Sequence, residues 1–494
     1  MKPFQTVLAT ILLVAAVFAY TSLSQPANFY AAAILAVLAI FIVCGQEGEA
    51  PGPRVAALAG FRWSLDHFCQ NFLITGGIGS GKTVAIYNLL TELNRRVKDW
   101  GGLWLDNKGN SHHDLAAIQR VFGRETDVLL LQVRSRDQSP AWTPPHRYNP
   151  LAEPAFTFEE LAHLIANNGT PSREARNAEF FVKQAATHLL KGMEALRELR
   201  KPVTFTALYR YLTSTTEAEF LINDLESFGT ERAQELARHF ATRFVSQSGD
   251  QLSGVLGTID NTLAPFIIEA VAEVFSSPEP NTVNLEDIDR GKILCLSLPQ
   301  AYPSSRYAIN TLLKQLFYFH AMRRYERRGA STHGNGTAAK SENMLVCFMD
   351  EAQHSVRAGE YGDHRFLDRL RDAKAGFVAA TQDHQSFYGP LGKQEAEILM
   401  LQFRNRFIYT AASQPSAESS ADFIGKIERM KVTHGYSAGR SSTSRTPHDE
   451  HIIKPHEIRQ LPPHRAYILH CNGRLRRRVK LPRVDPSQGV LPTQ

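Results

Sequence analysis

A glycine-rich run closed by lysine and threonine constrains this chain more than any other feature. Gly76-Gly77-Ile78-Gly79-Ser80-Gly81-Lys82-Thr83 fits G-x-x-x-x-G-K-[ST] at every fixed position. An apolar stretch, Asn71–Thr75, precedes it and a helical pattern, Val84–Leu93, follows. The run therefore reads as a strand–loop–helix turn rather than a chance glycine cluster. Glycines let backbone N–H groups turn inward around phosphate oxygens without a Cβ clash, and the helix N-terminus adds partial positive charge. Residues Gly76, Gly77, Ile78, Gly79, Ser80 and Gly81 are thus the candidate cradle for ATP. Lys82 is expected to reach the β- and γ-phosphates, and the Thr83 hydroxyl to ligate Mg2+.

A phosphate cradle needs carboxylates opposite it. Met344-Leu345-Val346-Cys347-Phe348-Met349 runs as a buried strand into Asp350-Glu351. Asp350 is the candidate partner of Thr83 in holding Mg2+, and Glu351 the candidate base that polarises the attacking water. One strand further on, Phe377–Thr381 ends in Gln382. Open α/β sheets bind ligands at the carboxyl ends of their strands, so Gln382 is placed to sense the γ-phosphate or orient the water. The alternatives, a helix cap for Asp350-Glu351 and an ordinary strand end for Gln382, weaken once the three segments are taken together.

Short apolar runs alternating with helical patterns predict an α/β fold with a mostly parallel sheet. The expected strands are Asn71–Thr75, Leu103–Asp106, Val128–Val133, Ile293–Leu298, Met344–Met349, Phe377–Thr381 and Phe407–Thr410. Between about Phe156 and Phe275 helical spacing replaces the strand pattern, for example over Ala175–Leu196, Thr204–Thr213 and Glu231–Phe244. The chain is accordingly divided into an α/β ATPase domain, 47–155 and 276–494, with an all-α insertion, 156–275. Gln46–Arg54 reads as a linker, and Gly329–Asn343 and His434–Glu450 as mobile loops.

From Pro3 to Gln46 there is no charged residue. Val7–Tyr20 and Phe29–Cys44, with their uncharged flanks, are each long enough to span a bilayer core of about 30 Å. Residues 1–46 are therefore expected to form a two-helix transmembrane hairpin, against the alternative of a signal peptide followed by a buried helix. A hairpin leaves both ends on one face, and a need for ATP makes that face the cytoplasm. The formal net charge of +6 permits contact with nucleic acid or anionic lipid without demanding it. Five scattered cysteines, with no C-x-x-C, argue against a disulfide framework or a structural zinc site. His112-His113-Asp114 reads as a helix start, and Arg474–Lys480 as an exposed edge strand or a nucleic-acid contact.

With these residues in hand, the chain resembles the TraG/TraD-type coupling ATPases of type IV secretion and conjugation, within the wider FtsK/HerA-like P-loop superfamily. The likeness rests on the apolar amino-terminal pair, the cradle, Leu105-Asp106-Asn107-Lys108-Gly109 and Tyr148-Asn149-Pro150-Leu151. It continues through Asp350-Glu351-Ala352-Gln353, Thr381-Gln382, Phe403-Arg404-Asn405-Arg406-Phe407 and the closing Ile453–Pro462 segment. The resemblance implies a RecA-like motor domain with an all-α domain, assembled as a homo-hexamer in the bacterial inner membrane. It also implies movement of DNA, single-stranded or relaxase-bound, toward a type IV secretion channel with relaxosome proteins as partners. In such rings an arginine before the sensor glutamine acts across the subunit interface, which here nominates Arg371, with Arg404 as competitor. Other expectations kept open are a chromosome or defence translocase of the FtsK/HerA kind and a docking adaptor for protein effectors.

Overall fold

All but one of the central apolar runs are buried on both faces, which suits parallel strands covered by crossover helices; the exception, Val128–Gln132, is half-buried. The structure is a computed structural model that describes residues 52–139, 141–168, 178–247, 249–331, 342–437 and 440–492. The expected transmembrane hairpin, residues 1–46, lies outside them. Among the described residues no single helix is long and apolar enough to cross a membrane.

Thirteen strands are present among the described residues. Two form a small hairpin, β1 (Arg54–Leu58) and β2 (Phe61–Ser64). The central strands are β3 (Phe72–Thr75), β4 (Gly101–Asp106), β5 (Val128–Gln132), β6 (Ile293–Ser297), β7 (Leu345–Met349), β8 (Ala375–Thr381) and β9 (Asn405–Ile408). A long ribbon follows, β10 (Lys426–Ser437) and β11 (Arg440–His451), then β12 (Arg465–Leu469) and β13 (Leu475–Lys480). The main sheet runs in the order β13-β12-β9-β3-β8-β7-β4-β6-β5. Its pairings from β9 through to β5 are parallel, and β12 and β13 close one edge antiparallel.

Alternation along the strands divides the core between the two faces. Leu73, Leu103, Leu105, Leu294, Leu296, Leu345 and Cys347 face the long helix Pro303–Ser331 and the helical segment beyond it. Phe72, Ile74, Trp104, Ile293, Cys295, Val346 and Phe348 face the helix Lys82–Arg96. Between β5 and β6 the described residues form helices and no strand, the longest being Ala178–Glu198. Hydroxyl caps start two of them: Thr204 accepts from the Ala207 N–H and Thr230 from the Ala233 N–H. Residues Arg54–Gln494 make one compact unit.

Three local expectations are corrected. The linker reading stops short, because Arg54 already begins β1, and the tight turn at Ala59-Gly60 (φ 55° and 77°) folds the chain back into β2. His434–Glu450, expected as a mobile loop, belongs instead to the β10–β11 ribbon, paired in continuous register from Lys426↔His451 to Ser437↔Arg440. Val432 and Thr433 favour extended backbone, but both are exposed, so the hydrophobic signal is weak. The flexible segment expected at Gly329–Asn343 opens inside the Pro303–Ser331 helix, and most of the remainder lies outside the described residues. Arg474–Lys480 is the edge strand β13, with Arg476, Arg477 and Arg478 exposed. His112-His113-Asp114 opens the helix Ser111–Val121.

Candidate nucleotide site

β3 lies between β8 and β9 in register, with Thr75 opposite Thr381 on one side and Ile408 on the other. The carboxyl ends of β3, β4, β7 and β8 therefore share one rim, and the motifs that follow them are gathered there. The Gly76–Gly81 loop leaves β3 at this rim and delivers Lys82 as the first residue of its helix. Gly81 sits at φ 112°, a region L side chains rarely adopt, and a Cβ there would also meet His464 and Tyr409. At Gly76 a Cβ would stand 2.5 Å from that of Tyr409, so only glycine lets the loop leave the strand at this point. Ile78, at the loop's tip, is 88% exposed.

Lys82 is buried, and its ammonium donates to the carbonyls of Gly76 (2.8 Å) and Gly77 (3.2 Å). Burial lowers its pKa, against the opposing pull of the Glu351 and Asp350 carboxylates. The Thr83 hydroxyl donates to Asp350 Oδ2 at 3.1 Å, across 267 residues of sequence. Glu351, one residue on, adopts the left-handed conformation at φ 50°, unusual for a non-glycine residue. Its carboxylate accepts from Gln353 Nε2 (2.8 Å) and, at longer range, from Gln382 Nε2 (3.4 Å). Thr381 Oγ1 in turn donates to Gln353 Oε1 at 2.9 Å, so strand end and carboxylate are linked through one side chain.

Lys108 and Asn107 complete this rim, and their roles are not legible in the sequence even though their motif is. Asp106 accepts from the backbone N–H groups of Lys108, Gly109 and His112, which folds the turn after β4 back onto the strand. Burial by itself would push the Asp106 carboxyl up; hydrogen bonds from His112, Ser111 and Gly109 outweigh it and hold the pKa below the usual carboxylate range. The turn aims the Lys108 ammonium at Asp350 Oδ2 (2.6 Å) and Thr83 Oγ1 (3.1 Å). Asn107 donates to the Asp350 carbonyl at 2.7 Å, tying β4 to β7.

Two features show that these residues suit a metal-bound nucleotide. The hydroxyl of Thr83 and the carboxylate of Asp350 are hard oxygen donors that already converge on a positive charge, the Lys108 ammonium. The Ser80 Oγ is buried in the cradle without a hydrogen-bond partner. A cavity of about 520 Å3 opens beside them, lined by Thr83, Tyr87, Asp114, His464, Lys480 and Arg483 among others. The last three come from the closing segment of the chain, whose approach to the cradle no local motif announces.

Arg371 is not among the residues brought together. It precedes β8, at the amino-terminal edge of the sheet and so at the opposite rim from the cradle. Its half-exposed side chain pairs with Asp66 (3.4 Å) and Asp372 (3.7 Å). Arg404 is exposed at the same edge, its backbone N–H donating to the Gln70 carbonyl.

Comparison with known proteins places this geometry in a family. The family described as type IV secretion-system coupling protein DNA-binding domain matches residues 55–227 and 331–482, more than half of the chain. Among solved structures, the bacterial conjugative coupling protein TrwBdeltaN70 in its unbound form is 17% identical, with a TM-score of 0.59 over 85% of this chain and 86% of that one. The plasmid coupling protein TrwB in complex with the ATP analogue ADPNP gives a TM-score of 0.60 at 17% identity, covering 86% and 87%. TrwB in complex with ADP and Mg2+ gives 0.59 at 17% identity over the same shares. Among curated proteins nothing matches. The fold is thus the RecA-like α/β fold that these structures share, and the chain belongs to the type IV secretion-system coupling protein family.

Proposed function

We propose that this protein is a membrane-anchored ATPase that translocates DNA, bare or carrying protein, into a type IV secretion channel. The observation that carries the proposal is the meeting of Thr83 with Asp350, next to Lys82 and Glu351, inside the segments that match the coupling-protein family. The TrwB structures with ADPNP and with ADP and Mg2+ support ATP and Mg2+ as its ligands.

The cradle's backbone N–H groups and Lys82 bind the phosphates, and Lys82 exchanges its bonds to the Gly76 and Gly77 carbonyls for phosphate oxygens. Thr83 and Asp350 hold Mg2+, which supplies charge neutralisation on the transferring phosphoryl group when bound. Glu351 orients and deprotonates the attacking water, and Gln382, in contact with Glu351, reports on the γ-phosphate. Arg371 serves a neighbouring subunit of a homo-hexamer, a role consistent with its distance from its own chain's cradle.

Residues 1–46 anchor the chain as a two-pass hairpin in the bacterial inner membrane, with the ATPase on the cytoplasmic side. The motor comprises 47–155 and 276–494, and 156–275 the all-α insertion, a division supported by the absence of strands between β5 and β6 among the described residues. DNA, the channel and relaxosome proteins are the partners. The test is ATP hydrolysis by the detergent-solubilised full chain with and without single- or double-stranded DNA. Stimulation by DNA, abolished in Lys82→Ala, is expected. Hydrolysis indifferent to both kinds of DNA would instead favour an adaptor that docks protein effectors, and would overturn the motor.

A further inference from the structure

The amino-terminal edge of the sheet, remote from the cradle, brings His67 beside the adjacent pair His470 and Cys471. His67 lies on the short helix Leu65–Phe68 after β2, and His470 and Cys471 on the turn between β12 and β13. One ligand atom from each lies within 4.8 Å of the other two. We infer that His67, His470 and Cys471 form a zinc site with three protein ligands and an open fourth position.

The distances suit this ion. With Zn–S of about 2.3 Å and Zn–N of about 2.0–2.1 Å, sulfur and nitrogen on a tetrahedral ion stand about 3.6 Å apart. Cys471 Sγ and His470 Nδ1 are 3.6 Å apart. Bringing the third atom to the same spacing takes a movement of about 1 Å, within reach of side-chain rotation. A thiolate with two imidazoles favours zinc over magnesium or calcium, which prefer oxygen.

The surroundings prepare the ligands. His470 Nε2 faces the Arg62 carbonyl at 3.2 Å, so that a proton on Nε2 leaves the Nδ1 lone pair toward Cys471, shared there with the Asn472 N–H. His67 Nδ1 is buried and has no hydrogen-bond partner. Asn405, fully buried, holds the two segments in place: its amide oxygen accepts from Trp63 Nε1 (2.8 Å) and the Cys471 N–H (3.0 Å). Its NH2 group donates to the carbonyls of His67 (2.9 Å) and Asn71 (3.2 Å). Zinc binding exchanges the Cys471 S–H bond for S–Zn and releases that proton to solvent. Asp66 adds negative charge nearby and Arg404 positive charge.

The test uses the full chain in detergent, stripped with a chelator and saturated with Mg2+ and ADPNP so that the cradle is filled. Zinc is titrated against a chromophoric competitor, and cobalt is titrated for its spectrum. One ion per chain, a cobalt–thiolate charge-transfer band and release of one proton near pH 8 are expected. Cys471→Ser should remove the band and weaken zinc by at least about 10-fold, as should His67→Asn, whereas Cys69→Ser should change neither. A cobalt spectrum without thiolate character, or zinc affinity indifferent to both substitutions, would overturn the site. Because Cys471→Ser could disturb folding, circular dichroism of each variant accompanies the titration, and His67→Asn decides the question if Cys471→Ser does not fold.

Discussion

The ammonium of Lys108 stands 2.6 Å from the Asp350 carboxylate, at the point where the Thr83 hydroxyl also converges. A lysine of the chain thus holds the place proposed for Mg2+. Since the Lys108 side chain is 41% exposed, the pair is screened by solvent and contributes little stability. Lys108→Met should remove an internal competitor for Asp350. The Mg2+ concentration giving half-maximal ATP hydrolysis is expected to fall by about 2- to 5-fold. A magnesium titration of the hydrolysis rate checks this, and a rise would show that Lys108 assists the metal instead.

Glu351 combines a left-handed backbone with hydrogen bonds from Gln353 and Gln382. The strain is tolerated because neighbours hold the carboxylate in place. Glu351→Gln keeps the shape and removes the proposed base. Hydrolysis should drop by about 10²-fold or more while binding of a fluorescent ATP analogue stays within about 3-fold of wild type. Equal loss of both would indicate a structural role.

For Arg371, own-chain contacts and cross-subunit work make different expectations. Its pairs with Asp66 and Asp372 are exposed, so Arg371→Ala should change stability by less than about 1 kcal/mol. Hydrolysis should nevertheless collapse. Mixing Arg371→Ala with Glu351→Gln subunits should restore part of it, because an Arg371→Ala cradle beside a Glu351→Gln neighbour then has both an intact Glu351 and an intact Arg371. Ring formation without recovery would remove Arg371 and turn attention to Arg404.

Acid sensitivity is expected from the helical segment. His188 is 1% exposed, and its Nδ1 lies 3.4 Å from His239 Nε2. Burial first, then the charge of His239, lowers its pKa to about 4. The folded state therefore binds fewer protons than the unfolded state between about pH 6.5 and pH 4, and stability is lost as the pH drops through that window. The full loss attributable to His188 is about 3 kcal/mol. Urea unfolding at several pH values should show a shallower decline for His188→Leu than for wild type.

What the sequence disclosed was whatever lies contiguous in it. The cradle, the Asp350–Glu351 strand and the seven central strands are each a short unbroken run, and their positions followed from pattern alone. The placement of Lys108 depended on β4 lying beside β7, a fact of strand order that no single segment carries. His67 and Cys471 are further apart still, joined only because β9 and β12 pair next to β3. Cysteine spacing along the chain, which shows no metal grouping, is blind to this meeting in space. The β10–β11 ribbon escaped for a different reason. Ile427, Met430 and Val432 are exposed there, so no buried face imposes the alternation by which strands are recognised.

The 267 residues between Thr83 and Asp350 carry a consequence for biosynthesis. A nascent chain emerges with its cradle early and its carboxylates late, with the helical segment synthesised in between. With the proposed site, ATP cannot be gripped through both halves until β7 has paired with β4 and the later β8 has joined β7 to β3. Until then β3 and β4 have unpaired edges, the feature through which strands of separate chains associate.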